Sequence, residues 1–316
     1  VHVRPAVMMS DAAVLVTGAT GFVGSALVAS LCGDGRSVIA LSRDPRSARA
    51  TLGDGIRIVA RLDEISPDTA IDTIVHLAGA RVLGMPWTAS RRRVLLASRV
   101  DVTHRLIELM QRLRQTPRTL IAASAVGFYG AAPGKASEPC TESSLPTAGQ
   151  FQSDLCATIE TEACRAEGLA ARVVRMRFAV VLGRGGGAYP MQALAARCGL
   201  GAVLGTGTQP APWVHLDDAI GLLRFAMART DVVGAVNAVA PDTPSQGDFA
   251  RAMALSFGRR ARLHVPAAPL RFALGEMGDL LLEGRVVLPA VALQAGYVFL
   301  HPSLGGALND LARRGN

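Results

Sequence analysis

Short apolar runs alternate along the chain with longer segments in which apolar residues recur every three or four positions. The runs occupy residues 14–16, 37–41, 56–59, 71–77, 119–123 and 172–182. Runs of this length predict buried strands, and the periodic segments between them, notably 87–114 and 153–167, predict helices. Repeated strand–helix units of this kind indicate an α/β fold built on a doubly wound parallel sheet.

The pattern changes after Gly183. Loops surround a helix near residues 191–197, and a second apolar helix is predicted over 219–227, with Asp217 or Asp218 as its N-cap. Prolines interrupt the helices of residues 240–316. We therefore predict a first domain over residues 12–183, to which 212–240 return, and a smaller C-terminal substrate lobe of 184–211 and 241–316. Residues 1–11 are expected to be a leader without structure of its own.

Composition narrows the class of protein. The chain of 316 residues is half hydrophobic, so it can bury a large core, and no apolar run approaches the roughly 20 residues of a membrane helix. The net charge of +8 comes almost entirely from scattered arginines, because Lys135 is the only lysine. This favours a solvated surface over a nucleic-acid groove. Five cysteines without a CxxC pair indicate a reduced, cytoplasmic protein, and we expect no metal cluster among the six histidines.

The first strand runs into the sequence TGATGFVG at residues 17–24, and a helical segment follows. Gly18 allows a sharp turn, Gly21 lets the backbone approach a ligand, and Gly24 lets the helix pack on the strand. Unpaired N–H groups and the helix dipole favour a pyrophosphate at this helix start. Strand, glycine turn and helix together predict a Rossmann-type dinucleotide site, which Thr20, Phe22 and Val23 complete.

The end of the second strand is where such a fold meets the adenosine ribose. Ser42 and Arg43 offer a hydroxyl and a guanidinium, which suit the 2′-phosphate of NADP(H). Asp44 leaves the alternative open, because a carboxylate on the ribose would favour NAD(H). Its position before Pro45 indicates a turn instead. We predict NADP(H), with NAD(H) as the less favoured cofactor.

Nine motifs, spread in order over nearly the whole chain, resemble one known superfamily. They are TGATGFVG at 17–24, LSRDP at 41–45, HLAGA at 76–80, WTASRRRVLLASRV at 87–100, ASAVGFYG at 123–130, VVLGRGGG at 180–187, PWVHLDD at 212–218, VNAVAP at 236–241 and LGEMGDLLLEGRVVLP at 274–289. The chain resembles the extended short-chain dehydrogenases/reductases, the nucleotide-sugar epimerase-like proteins. The match is closest to the atypical branch of NAD-dependent epimerase family proteins, also called cell-division-inhibitor-like. The resemblance implies a Rossmann domain binding NADP(H) and a C-terminal substrate lobe.

Further cofactor contacts are expected along the carboxyl ends of the strands. Small residues after the fourth strand would let the backbone pass under the cofactor, and the third strand could border the adenine. The remaining predicted cofactor residues are Leu62, Leu77, Ala78, Gly79, Arg99, Ala123, Ser124, Cys156, Phe178 and Val180.

The superfamily combines a Ser on the fifth strand with a Tyr and, four residues later, a Lys on the next helix. Ser124 matches the Ser, but Gln152 and Cys156 occupy the Tyr and Lys positions when the helix is aligned on Glu160. The atypical branch lacks the dyad too. Positioned acid–base catalysis contributes about 10²–10⁴-fold, so another proton donor would be needed.

Ser124 and Tyr129 are the predicted catalytic residues, and each has an alternative. Tyr129 has the right chemistry for a proton donor but could be an aromatic of the pocket wall, and Ser124 could simply bind a carbonyl. Cys156 could titrate near the cofactor or be a buried inert thiol. Arg99 and Arg177 could each meet an anion or form a structural ion pair. His215 with Asp217 resembles a catalytic couple, but the superfamily match places it on a structural segment.

Two functions remain open from the sequence. The first is an oxidoreductase or epimerase that moves hydride between the nicotinamide and a small carbonyl or alcohol. The second is an NADP(H)-binding regulator or sensor that turns nothing over. A small-molecule substrate is the expected partner, its identity is open, and a homodimer is one option for the oligomeric state.

Overall fold

The computed structural model describes residues 12–82, 84–132 and 138–313. The leader predicted at 1–11 and Lys135 lie outside these ranges. The strands are β1 (Ala13–Thr17), β2 (Val38–Leu41), β3 (Arg57–Val59), β4 (Ile71–His76), β5 (Thr119–Ala125), β6 (Arg172–Phe178), β7 (Val180–Gly183), β8 (Gly186–Gly187), β9 (Ala202–Leu204), β10 (Trp213–His215), β11 (Gly234–Ala238) and β12 (Leu263–Val265).

Seven strands form one parallel sheet in the order β3-β2-β1-β4-β5-β6-β11. The strand order reverses between β1 and β4, where Thr17 lies opposite His76. In open α/β sheets, ligands bind at the carboxyl ends of the strands beside such a reversal. The predicted doubly wound Rossmann-type sheet is confirmed, and its topology places the candidate crevice between the ends of β1 and β4.

Helices cover both faces of this sheet. The α-helices of the described residues, some of which belong to the smaller lobe, are α1 (Phe22–Gly33), α2 (Pro45–Leu52), α3 (Ala89–Arg112), α4 (Phe151–Cys164), α5 (Tyr189–Arg197), α6 (Leu216–Ala228), α7 (Gln246–Leu255), α8 (Ala267–Leu274), α9 (Asp279–Leu282), α10 (Ala290–Gln294) and α11 (Leu304–Arg313). Leu27 of α1 and Leu223 of α6 are buried on one face, and Leu106 of α3 and Ala163 of α4 on the other. Within the described ranges, no helix has both the length and the apolar character needed to cross a bilayer.

The apolar run at 172–182, predicted as one strand, is divided between two sheets. β6 ends at Phe178, and the Ala179 N–H makes a 3.1 Å bond to the Ala238 carbonyl before the chain leaves the central sheet. β7 then pairs with β10 and β8 in a second, three-stranded sheet. Apolar residues continue across the break from Phe178 to Leu182, so hydrophobicity alone does not reveal where one sheet ends.

Part of the chain after Gly183 builds a smaller lobe, whereas α6 and β11 pack with the central sheet. Trp213, Phe249 and Leu308 belong to its core, between α5, α7 and α11. β9 pairs with β12, whereas β11 returns to the central sheet. The lobe also reaches the crevice side of the first domain, because an Arg92–Glu276 ion pair at 2.7 Å joins it to α3.

The predicted N-cap of α6 is wrong. Neither Asp217 nor Asp218 caps the helix, because the ring of His215 accepts the Asp217 N–H at 3.1 Å. Asp218 is fully buried and accepts the N–H groups of Leu300 and His301 at 2.8 and 2.9 Å. It therefore ties the C-terminal segment to α6.

Candidate functional site

The glycine turn between β1 and α1 has the geometry that its three glycines predict. Gly18 has φ +68°, and a Cβ there would lie 2.7 Å from the Leu77 carbonyl carbon. A Cβ on Gly24 would lie 2.1 Å from the Gly18 carbonyl oxygen. Any side chain at Gly18 or Gly24 would therefore push β4 or α1 away from the turn.

The first turn of α1 is open to an anion. Gly21 is the N-cap residue, no side chain caps the helix, and its first turn contains no acidic residue. The first N–H groups of a helix have no partner within it, and its dipole adds positive potential there. Thr20 is exposed beside this turn, and Val23 packs against the core. The start of α1 is thus suited to bind phosphate.

Phe22 links this turn to the second sheet. A Cβ on Gly183 would lie 2.7 Å from the Phe22 Cζ, and one on Gly186 would lie 2.9 Å from the Phe22 Cγ. The ring therefore rests against the glycine-rich β7–β8 pair, and the phosphate-binding turn and that pair support each other.

At the end of β2, the side chain of Asp44 caps the start of α2. Its Oδ1 accepts the Ser47 N–H at 3.1 Å, and Pro45 is the first residue of the helix. Ser42 donates its hydroxyl to the Asp44 carbonyl at 3.1 Å. Arg43 is exposed and makes no hydrogen bond or ion pair with the residues that the structure describes. Asp44 thus acts as a helix cap, and Arg43 is available to a ligand.

The end of β4 is fixed to the end of β1. The Leu77 N–H donates to the Thr17 carbonyl at 3.1 Å, and the Ala78 N–H donates to the Thr17 hydroxyl at 3.3 Å. That hydroxyl lies 2.6 Å from Nδ1 of the buried His76. Burial lowers the pKa of His76 to about 4. His76 is therefore a neutral histidine of the strand.

Arg99 folds over the segment after β4. Its guanidinium donates to the carbonyls of Ala80 and Leu95 at 3.0 and 3.1 Å, and its Cζ lies 2.6 Å from where a Gly79 Cβ would be. Burial lowers the pKa of Arg99 from its ordinary value. No carboxylate of the described residues pairs with it. Arg99 thus brings a positive charge to this side of the crevice.

Ser124 lies at the end of β5 and belongs to a buried ionic network. Its hydroxyl donates to Oε1 of Glu160 at 2.7 Å. Arg177 donates to both oxygens of Glu160, at 2.8 and 2.7 Å. Glu160 and Arg177 are 3% and 2% exposed, so the pair is shielded from water. Of the two roles considered for Arg177, the structure favours the structural ion pair.

Tyr129 does not have the surroundings of the proton donor predicted from the sequence. It is 1% exposed, donates its hydroxyl to Asn237 Oδ1 at 2.7 Å, and accepts from Arg177 Nη1 at 2.8 Å. Burial raises the pKa of its phenol. Because the protein supplies both hydrogen-bond partners of this buried hydroxyl, we do not retain Tyr129 as a proton donor.

Two residues of α4 occupy the positions of the missing dyad. Gln152 is buried and lies beside the turn after β5, where a Gly127 Cβ would be 3.5 Å from its Cβ. Cys156 is also buried there. Burial, and next the charge of Glu160, raise the pKa of Cys156 to about 11. Cys156 is therefore a neutral thiol at neutral pH, in agreement with an inert role.

The remaining predicted cofactor residues lie along the sheet edge. Leu62 is buried in a 3₁₀ turn, and its carbonyl accepts from Arg112 at 2.8 Å. Ala123 and Phe178 are at the ends of β5 and β6, and Val180 is 45% exposed at the start of β7. Their contacts with a cofactor stay predictions.

The fold also assembles a cluster that the sequence analysis missed. Ligand atoms of His215, Asp217, His301 and Asp310 lie within 4.8 Å of one another, a set that could hold a metal ion. The expectation of no metal cluster overlooked it because His301 and Asp310 are remote in sequence. Two features oppose a cation: Nδ1 of His215 already accepts the Asp217 N–H, and the helix start carries positive potential. We assign the cluster to docking of the C-terminal segment.

Comparison with known families gives two matches along the chain. Residues 14–239 match the NAD dependent epimerase/dehydratase family. Residues 265–311 match a domain of unknown function, DUF1731.

Individual relatives extend over nearly the full chain. Epimerase family protein SDR39U1 of Mus musculus is 36% identical and epimerase family protein YfhF of Bacillus subtilis is 34% identical, each over 94% of this chain and 99% and 97% of the relative. The crystal structure of human SDR39U1 with NADPH is 33% identical, with a TM-score of 0.85 over 95% of this chain and 99% of that one. In agreement with the resemblance seen in the sequence, the chain belongs to the NAD-dependent epimerase/dehydratase family.

Proposed function

We propose that this protein binds NADP(H) in the crevice between the ends of β1 and β4, and acts as an oxidoreductase or epimerase on a small carbonyl or alcohol. One combination of features carries the cofactor assignment. The start of α1 has no side-chain cap, and at the end of β2 the Asp44 carboxylate caps α2 while the Arg43 guanidinium has no partner among the described residues. The human relative, whose crystal structure contains NADPH, supports the same cofactor.

The residues present fit this cofactor. The open N–H groups at the start of α1 would hold the pyrophosphate, and Gly18 and Gly21 leave the backbone uncovered there. Arg43 would bind the 2′-phosphate through charge-assisted hydrogen bonds, with Ser42 beside it. Leu77, Ala78 and Gly79 would border the dinucleotide along the end of β4. NADP(H), when bound, supplies a hydride donor or acceptor.

Few of the described side chains near the crevice could donate a proton to a substrate. Ser124 is the polar side chain at the end of β5 that would orient a substrate oxygen, but its proton is directed at Glu160. Arg99 would add positive charge, and its field acts on Cys156, which neighbours Ser124. A reaction without a positioned acid lacks a factor of about 10²–10⁴. We therefore propose a slow enzyme in which Ser124 orients the substrate.

A second function is favoured by one observation. Both hydroxyls predicted to be catalytic, those of Ser124 and Tyr129, are engaged by the Glu160–Arg177 network. A binding protein would need the crevice but no available acid. The alternative is therefore an NADP(H)-dependent regulator or sensor that does not turn over a substrate.

Titration of nicotinamide fluorescence tests the cofactor. We expect NADPH to bind more tightly than NADH, and Arg43→Ala to weaken NADPH roughly tenfold, since a hydrogen bond to a charged group contributes about 1.5–3 kcal/mol. NADH affinity should not change. Arg49→Ala is the matched control, because Arg49 lies nearby on α2 and already pairs with Asp54, just beyond the end of that helix. Equal affinities for the two cofactors in the unaltered protein would contradict the phosphate assignment.

Turnover separates the two functions. NADPH oxidation is followed with a panel of aldehydes, ketones and quinones, using protein shown to be saturated with NADPH. Turnover that falls in Ser124→Ala supports the enzyme. Saturation without turnover over the whole panel supports the regulator.

A further inference from the structure

A cavity of about 510 Å³ lies in the smaller lobe, between α5, α7 and α11. Three arginines, two aromatic residues and two other polar side chains line it: Arg184, Arg197, Arg313, Tyr189, Phe257, Ser256 and Asn309. We propose that this cavity binds a phosphate-bearing, nucleotide-sized anion, at a site separate from the predicted NADP(H) crevice.

Unpaired positive charge is the first argument. Some arginines of the described residues form ion pairs, such as Arg251 with Asp248 and Arg271 with Glu283. Within the described residues, Arg184, Arg197 and Arg313 form none, and no Asp or Glu lines the cavity. Three guanidinium groups around one cavity are suited to phosphate, which they can bind bidentately.

Helix capping is the competing explanation for two of these arginines. Arg197 and Arg313 are the last residues of α5 and α11, and the end of α7 also reaches the cavity. Each helix end carries about −0.5 of an elementary charge, so three ends offset about half of the three positive charges. A surplus of positive charge remains for a ligand.

The arginines are held close to the aromatic residues. Arg184 donates to the Leu311 carbonyl at 3.5 Å, and the Arg197 guanidinium lies 5.6 Å from the centre of the Phe257 ring. Tyr189 is buried, which raises the pKa of its phenol, and the charges of Arg184 and Arg197 both act against that rise. Both guanidinium groups therefore act on the Tyr189 side of the cavity.

Size and lining select the class of ligand. Small-molecule sites commonly enclose about 300–1,000 Å³, more than inorganic phosphate occupies. The Phe257 ring offers a face on which a base can stack, beside guanidinium groups for its phosphates. Arg184 also belongs to the connection between β7 and β8, against which Phe22 packs, so the site touches the element that supports the glycine turn.

Calorimetric titration with ADP tests the proposal. The protein is first saturated with NADPH, so that ADP cannot report on the crevice. We expect ADP to bind at low ionic strength more tightly than inorganic pyrophosphate, and adenosine not to bind. Arg197→Ala and Arg313→Ala should each weaken ADP roughly tenfold, as expected for a hydrogen bond to a charged group.

Arg93→Ala is the matched control, because Arg93 is an exposed arginine of α3 that does not line the cavity. The fluorescence of the bound NADPH should not change as ADP is added, which separates binding at this site from displacement of the cofactor. Circular dichroism confirms that each variant is folded. No binding at millimolar ADP, or equal ADP affinity in the Arg197 and Arg313 variants and the unaltered protein, would overturn the proposal.

Discussion

His76, at the end of β4, makes the stability of the protein depend on pH. Its ring is buried beside the Thr17 hydroxyl, and burial lowers its pKa to about 4, against about 6.5 for an unperturbed histidine. The unfolded chain therefore takes up a proton at higher pH than the folded protein does. This contribution leaves stability constant above about pH 6.5 and lowers it as the pH falls toward 4, by about 3 kcal/mol in full.

We expect His76→Asn to remove this dependence, because the amide can meet Thr17 but does not titrate. Between about pH 7.5 and 5.5, His76 should cost the unaltered protein about 1.3 kcal/mol of unfolding free energy. Urea denaturation at the two pH values measures the difference. The comparison uses the change with pH and not the absolute stability, which the substitution also alters. An equal change in both proteins would show that another group titrates.

Side-chain roles at this scale were only partly predictable. The roles of Gly18, Gly21 and Gly24 follow from neighbours within a few residues, so the sequence predicts them. Tyr129 owes its position to Asn237, which is 108 residues away, and nothing local to Tyr129 indicates that partner. The same is true of Ser124 and Glu160: the alignment used Glu160 as an anchor but did not reveal their hydrogen bond.

At the scale of elements, the start of α2 determines which side chains at the end of β2 can contact a cofactor. Asp44 caps the helix through the Ser47 N–H, and Pro45 has the fixed φ that suits a first helical residue. The Asp44 carboxylate therefore has a structural role as a helix cap, and this role does not involve a ribose. The structure thus has a helix start where the Asp44–Pro45 sequence indicated a turn.

We expect Asp44→Ala to lower the free energy of unfolding by about 1 kcal/mol, the usual contribution of an N-cap side chain. Asp44→Ser should recover most of that loss. Because the cap does not contact the cofactor in this interpretation, the ratio of NADPH to NADH affinity should stay within about twofold in both variants, as expected for a lost cap rather than a lost charged contact. A selective loss of NADH binding in Asp44→Ala would instead identify Asp44 as a ribose ligand.

Periodicity predicted the elements of the first domain better than their limits. β1 to β5, α1 and α3 are local patterns and were found, whereas the short helix α2 was not predicted. The break at Ala179 was not predicted either, because apolar residues continue without interruption from Phe178 to Leu182 although β6 and β7 belong to different sheets. The cap of α6 was missed because His215 ends β10 and accepts from the next turn, while Asp218 faces residues 82 and 83 positions later.

At the scale of the whole molecule, a few contacts join the parts around the crevice. Phe22 rests on the β7–β8 pair, and Arg92 bridges α3 to the smaller lobe through Glu276. Asp218 fixes the segment before α11 to the start of α6. Of these three contacts, the one at Asp218 is made by a fully buried carboxylate. We therefore expect its removal to lower stability more than removal of either of the others.

Asp218→Asn tests that view. Oδ1 accepts from the Leu300 N–H at 2.8 Å and from the Tyr297 hydroxyl at 3.1 Å, and Oδ2 accepts from the His301 N–H at 2.9 Å. An asparagine keeps the shape but replaces one acceptor by a donor, which leaves a buried N–H without a partner. The expected cost is about 2–3 kcal/mol, or roughly 4 °C in Tm for a chain of this size.

Calorimetry and hydrogen exchange measure the two consequences together. The backbone of residues 297–313 should exchange faster in Asp218→Asn, because the segment loses its anchor, while β1 and β4 keep their protection. Asp231→Asn is the control, since Asp231 forms an exposed pair with Arg229 that should contribute little. A uniform rise in exchange over the central sheet would mean that Asp218 supports the fold as a whole. Unchanged exchange at 297–313 would mean that the packing of α11 alone holds this segment against the molecule.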